Sequence, residues 1–191
     1  LAQYLKHVYA IEPAPQLYVK LKDRCKIVQN ISVSNESLES FASSEMVDFT
    51  VVLGVLYVYN DEMLSYFMDR LDSFLRPRGV IVIRDFIVPG EVKKLRSSYV
   101  KGAHCYYRDL DYWQKVAEQY NMDLVEVFRS VPLYNPYVAK IMAPLGLNRI
   151  YALSFVKKMG YARVDMLRKD NGGFKDGEIN TVFITLVKKG L

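Results

Sequence analysis

The run VDFTVVL, residues 47–53, constrains this chain more than any other stretch. After Asp48 it carries no charge and is rich in β-branched residues. A strand with one wet face alternates apolar and polar residues. A continuously apolar strand is covered on both faces, which is the habit of a parallel sheet flanked by helices. Extended through 49–59 the apolar stretch reaches 11 residues, too short to cross a bilayer.

The neighbouring segments fit that sheet. Residues 7–11, HVYAI, predict a buried strand closed by Glu12 and Pro13. Residues 14–24 have helical spacing, with Leu17 and Leu21 on one face. Residues 26–31, KIVQNI, predict a second short strand, followed at 32–45 by a loop with a helical turn around 38–41. Residues 60–75 predict a helix: Asn60 or Asp61 is the N-cap, and Leu64, Phe67, Met68, Leu71 and Leu75 recur at helical intervals. Arg76-Pro77-Arg78-Gly79 stops it, and VIVIR at 80–84 is a further strand ending at Asp85. Strand and helix alternate as in an α/β, doubly wound sheet. Such sheets bind ligands at the carboxyl ends of their strands. The candidate positions are therefore Glu12, 30–35, 53–55 and 85–86.

The second half divides less simply. Residues 109–120 predict an amphipathic helix with Leu110, Trp113, Val116 and Ala117 on one face, and 122–131 a strand. Residues 132–148 are Pro- and Tyr-containing loop, and 150–157 a returning antiparallel strand. Residues 161–168 and 179–188 then pair as a C-terminal β-hairpin across a turn-rich stretch. The alternative makes 146–159 a helix and places 161–168 and 179–188 in the sheet itself. The first arrangement divides the chain into a main domain, 1–158, and an extension, 159–191.

At 191 residues, 51% hydrophobic and 25% charged, the chain can bury a core and is not disordered. Its two cysteines, Cys25 and Cys105, and two histidines, His7 and His104, suit neither a disulfide framework nor a metal centre. A reducing setting, cytoplasmic or nuclear, is expected. Residues 1–90 carry 9 basic against 11 acidic residues, and 91–191 carry 17 against 10, within a total of +5. The basic second half keeps a nucleic-acid partner open, though its cations are scattered and no nucleic-acid module is recognisable.

Three segments, in order, resemble the class I S-adenosylmethionine-dependent methyltransferases. HVYAIEP at 7–13 resembles the family's second strand, VDFTVVLGVLYVYND at 47–61 its fourth strand and following loop, and FLRPRGVIVIRD at 74–85 its Leu-(Arg/Lys)-Pro-x-Gly turn and fifth strand. The resemblance covers about residues 1–130. It implies a Rossmann-like sheet and S-adenosylmethionine as cofactor. Glu12 would hold the ribose, with Pro13 beside it among the cofactor-binding residues; Leu53 and Gly54 would lie at the methionine side, and Asn35, Glu36, Leu38 and Glu39 on the loop that would flank the adenine. The family's glycine-rich first strand has no counterpart here. LAQYL at 1–5 reads as the end of a helix, so the chain is expected to be a fragment that alone binds the cofactor poorly and is inactive. A dehydrogenase shares the sheet, but the Leu-Arg-Pro-x-Gly turn is foreign to it.

The segments 75–85, 108–116 and 149–157 are similar to the protein N-terminal (Xaa-Pro-Lys) methyltransferases. That subfamily's Trp and His after the fourth strand fall at Gly54 and Val58, its Asn at Phe86 and its catalytic Asp at Ala103. The acceptor implied is an amine, on a protein N-terminus or a small molecule. His104, beside the subfamily's Asp position, is a candidate base, and Asp85 a candidate for orienting substrate. The alternative is a catalytically inactive methyltransferase-like binding module. Neither reading involves a membrane.

Overall fold

The computed structural model describes residues 2–42, 45–89, 92–96, 102–129 and 179–190. They fall into two compact units, Leu1–Met46 with Ser65–Phe74, and Val47–Leu64 with Leu75–Leu191.

In the first unit, β1 (Val8–Ile11) and β2 (Ile31–Ser34) run parallel in register Val8↔Ile31 to Ile11↔Ser34. They are joined by α1 (Pro15–Cys25). Pro15 sits at the start of α1, where its missing N–H and fixed φ suit the first turn. The strand expected at 26–31 lies instead at Ile31–Ser34. Val28 N–H donates to Cys25 O at 2.9 Å and so closes the helix end, while Asn30 Nδ2 donates to Ala2 O (2.8 Å) and Leu5 O (2.7 Å). Leu17 is exposed rather than buried, as is Val19, and α1 has no fully buried residue. An aromatic chain holds this unit, with Tyr9 to Phe41 at 5.7 Å and Phe41 to Phe74 at 5.8 Å between ring centroids. Arg70 lies over Phe74 and donates to Phe41 O at 2.8 Å.

α2 (Asp61–Phe74) begins at Asn60, whose Oδ1 accepts from Met63 N–H at 2.8 Å, so Asn60 is the N-cap. The helix buries Leu64, Phe67, Met68 and Leu71, the stripe that its spacing predicts.

The second unit is a four-stranded sheet in the order β3-β4-β8-β7. β3 (Val47–Leu53) and β4 (Leu75–Ile87) are parallel; β8 (Asn180–Lys188) is antiparallel to both β4 and β7 (Met122–Arg129). β8 is thus an inner strand of the sheet, not one arm of an appended hairpin. The physical reason is its alternation: Val182, Ile184 and Leu186 are fully buried, as are Ile81, Ile83 and Ile87 of the adjoining β4. The segments 132–148, 150–157 and 161–168 lie outside the described residues. β3 departs from its expected double cover. It is the terminal strand of its sheet; Val52 is buried, while Phe49, Val51 and Leu53 are exposed.

Residues 75–79 form a bulge, since the register steps from Val47↔Leu75 to Phe49↔Val80. Arg78 takes a positive φ of 64° there. Gly79 is required by crowding: a Cβ would lie 2.6 Å from Leu75 Cγ and 2.8 Å from Arg76 O. Gly79→Ala is therefore expected to cost about 1–3 kcal/mol, read by urea denaturation, as overpacking does. An unchanged midpoint would show that the bulge yields freely.

Between β4 and β7 lie a hairpin not legible in the sequence, β5 (Lys93–Arg96) with β6 (His104–Tyr107), and α3 (Leu110–Gln119). α3 packs along β7 with Trp113 and Ala117 fully buried. Its N-cap is Asp109, whose carboxylate accepts from Tyr112 N–H at 2.8 Å.

Candidate active site

The carboxyl ends of the parallel strands β3 and β4 open into a cavity of about 240 Å³ lined by Leu53, Gly54, Tyr57, Arg84, Asp85, Phe86 and Thr181. The sequence-derived positions Leu53, Gly54, Asp85 and Phe86 meet here. Gly54 N–H donates to Arg84 O at 2.8 Å, one step beyond the end of β3. Its φ of +63° turns the chain away, and nothing lies within 4 Å of where a Cβ would stand. The glycine is thus needed for its backbone conformation and leaves the space beside it open. The chain then makes a 3-10 turn at Leu56–Val58, pinned by the fully buried Leu56. Tyr57 meets Phe86 edge to face at 5.1 Å, and Phe86 meets Tyr107 at 6.1 Å.

Asp85 is the unusual group. It is 1% exposed, and neither carboxylate oxygen has a hydrogen-bond partner of good geometry. Burial pushes its pKa up from 3.8 to about 7; the Phe86 backbone, the Arg108 charge and the Tyr57 backbone offset this only in part. A native protein rarely leaves a buried carboxyl without a partner. Here the group lines a cavity, so a ligand can supply one.

The wall carrying Tyr57 is held by Arg108, which is fully buried. Its guanidinium donates to Leu56 O (3.2 Å), Tyr59 O (2.6 Å) and Asp61 Oδ1 (3.1 Å), and lies 5.0 Å from the Tyr112 ring centroid. Tyr112 OH also donates to Asp61 Oδ1 at 2.9 Å. Burial and that bond raise the phenol's pKa. One planar fork thus adds donors to two carbonyls of this turn, of which Leu56 O also accepts from Tyr59 N–H at 3.1 Å. Nothing local in the sequence marks Arg108 for this, because its acceptors lie about fifty positions away in the chain.

His104 is not among the residues lining the cavity. It is half-buried in β6, opposite Arg96. In the first unit, Glu12 follows β1, with its backbone N–H donating to Ser34 O at 3.1 Å and its Oε1 accepting from Ala14 N–H at 2.9 Å. Asn35 donates to Glu12 O (2.8 Å) and Pro13 O (3.0 Å), so it fastens the end of β1 to the end of β2. Leu38 and Glu39 are half-buried in the turn that follows. These groups occupy the carboxyl ends of β1 and β2.

No protein-family model matches the chain, and no curated protein matches it. Solved structures do. The chain is similar to a coclaurine N-methyltransferase bound to N-methylheliamine and SAH, with TM-score 0.63 and 14% identity over 98% of this chain and 62% of that one. It is similar to the 1,6-didemethyltoxoflavin-N1-methyltransferase of Burkholderia thailandensis, bound to 1,6-didemethyltoxoflavin and S-adenosylhomocysteine (TM-score 0.61, 12% identity, 96% of this chain, 61% of that one). A third is an O-methyltransferase from a trans-AT PKS multienzyme of Brevibacillus brevis, in complex with S-adenosyl-L-homocysteine (TM-score 0.58, 14% identity, 96% of this chain, 59% of that one). The chain spans 59–62% of the length of these three. Its parallel strand pairs and α/β order are those of the Rossmann-like methyltransferase fold.

Proposed function

We propose that this chain is the larger part of an S-adenosylmethionine-dependent methyltransferase whose acceptor is an amine, on a protein N-terminus or a small molecule. The observation that carries the acceptor reading is Asp85, a buried carboxyl without a hydrogen bond of good geometry in a cavity edged by Tyr57 and Phe86. The fold likeness supports methyl transfer in general. The Xaa-Pro-Lys resemblance brings the amine but not the subfamily's substrate-handling side chains, since Gly54, Val58, Phe86 and Ala103 stand in their places.

Taken unit by unit, the cofactor residues that the resemblance implies carry suitable chemistry. Glu12 carries a carboxylate after a parallel strand, the chemistry that accepts a ribose diol. Gly54 leaves open space where a side chain would otherwise stand. S-adenosylmethionine, when bound, supplies a methyl group already activated by the sulfonium charge. The chain's own task is then to position the acceptor, exclude water and remove a proton. Aromatic rings favour a cationic amine over a neutral alcohol. An amine must lose a proton before it attacks, and a carboxylate is the base for that step. With a pKa of about 7, Asp85 is poised near working pH. Its place in the cavity lining makes it the base we assign in preference to His104.

Methyl-tritiated S-adenosylmethionine given to the intact protein with matched panels of amines and alcohols tests this reading. Label is expected on amines alone. Label on alcohols alone overturns the acceptor assignment. Bound donor with no transfer to either panel favours the inactive binding module.

A further inference from the structure

The cavity lining holds a charged group that the reading above leaves unused. Arg84 borders the cavity beside Asp85, and it is exposed whereas Asp85 is buried. β3 stops at Leu53 while β4 runs on to Ile87, so residues from both faces of β4 border the gap. Register fixes the company that Arg84 keeps. It lies across from Leu53 on β3 and from Phe183 on β8. Phe86, two residues on, lies across from Thr181. Side chains two apart on a strand share a face and are spaced about 7 Å along it. At the cavity, one face of the sheet therefore carries Leu53, Arg84, Phe86 and Thr181.

That set is not the lining of a site for plain amines. A guanidinium repels a protonated amine, so it works against an acceptor that carries no other charge. Its match is a carboxylate, which takes two parallel hydrogen bonds from the planar fork. The Thr181 hydroxyl is a further donor for a carboxylate oxygen. Among the described lining residues Arg84 is the only cation. One cation balances the single charge of a carboxylate and leaves much of a phosphate's charge unmatched.

We propose that Arg84, with Thr181, receives a carboxylate on the methyl acceptor. Resting on the amine reading above, the acceptor is then a small amino-carboxylate. Its amine turns to Asp85, its carboxylate to Arg84, and its apolar body to Phe86. The cavity of about 240 Å³ suits such a molecule, since it falls below the range of about 300–1,000 Å³ that drug-sized ligands occupy.

Calorimetric titration of the intact protein with benzoate and with benzamide tests the carboxylate site without an amine or a methyl donor. Benzoate is expected to bind about tenfold or more tightly than benzamide, the difference between a charge-assisted hydrogen bond and a neutral one. Arg84→Gln is expected to bring benzoate to the level of benzamide, and Arg84→Lys to restore part of the gap. Arg84 is exposed, so neither variant opens a hole in the core. Absence of benzoate binding, equal binding of the two ligands, or tighter binding of phenyl phosphate overturns the proposal. In the transfer assay, 4-(aminomethyl)benzoate is expected to show a KM about tenfold below that of 4-(aminomethyl)benzamide. Arg84→Gln is expected to erase that gap and to leave the KM for S-adenosylmethionine as it was. A raised KM for S-adenosylmethionine with the gap intact overturns the assignment, since the guanidinium would then serve the donor's own carboxylate. Because the titration contains neither amine nor donor, failure of the amine reading leaves its result intact.

Discussion

Asp85→Asn is expected to slow methyl transfer by about 100- to 1000-fold, the usual loss when a general base is removed, while making the fold more stable above neutral pH. The two effects have one cause. Unfolded, the carboxyl titrates near 3.8; folded, it titrates near 7 because burial penalises its charge. Below the lower value it is neutral in both states. As pH rises toward 7 the unfolded chain ionises first and stability is lost; above 7 the loss levels off. A shift of about three pH units corresponds to about 4 kcal/mol. The native protein is therefore expected to be markedly weaker at pH 8 than at pH 4 in urea denaturation at this site's expense, and the Asn variant to lack that part of the slope. Under the proposed reading, the rate of methyl transfer should rise over the window in which stability falls, since the ionised form is the base. Identical stability slopes for the two proteins would show that Asp85 ionises freely, and a near-native rate for the variant would remove it from the reaction.

Arg108→Met is expected to cost about 3 kcal/mol, since two hydrogen bonds from a charged, buried donor are lost. That loss would lower the melting temperature by about 10 °C in a domain of this size. The Leu56 and Tyr59 carbonyls each lose a charge-assisted hydrogen bond, and the apolar side chain fills the space without replacing them. The exposed ion pair with Asp61 adds little, because water competes for it. Arg108→Lys should rescue only a minor share, since one ammonium does not reproduce a planar fork that reaches three acceptors. Thermal and urea unfolding check this directly. A loss below about 1 kcal/mol would mean that the loop after β3 is held by Leu56 alone.

Much of this architecture is legible because its elements are strongly periodic. β3, α2, α3 and β7 lie within a residue or two of where their patterns place them. β2 is displaced because the side chain of Asn30 is spent on carbonyls at the start of the chain, a tertiary fact that no window of residues contains. The β5–β6 hairpin escapes notice because Lys-Lys-Leu-Arg has the composition of a solvated loop. Half of the cavity is legible for a related reason. Leu53, Gly54 and Asp85 end strands, and strand ends are where such sheets bind. Thr181 enters only through the pairing of β8 with β4, which sets it opposite Phe86. His104 looks promising by adjacency in sequence, yet its strand carries Tyr107 rather than the imidazole toward Phe86.

The placement of β8 also dictates an order of events during synthesis. β4 gains its second hydrogen-bonded edge, and β7 its only described one, from a strand that follows the whole of 88–179. Until the ribosome has passed Lys188, β4 and β7 lack the edge that β8 supplies, and loop closure across that span is slow. The nascent chain is consequently most exposed to mispairing late in translation, and a premature stop ahead of Asn180 would yield an aggregation-prone product rather than a shortened fold.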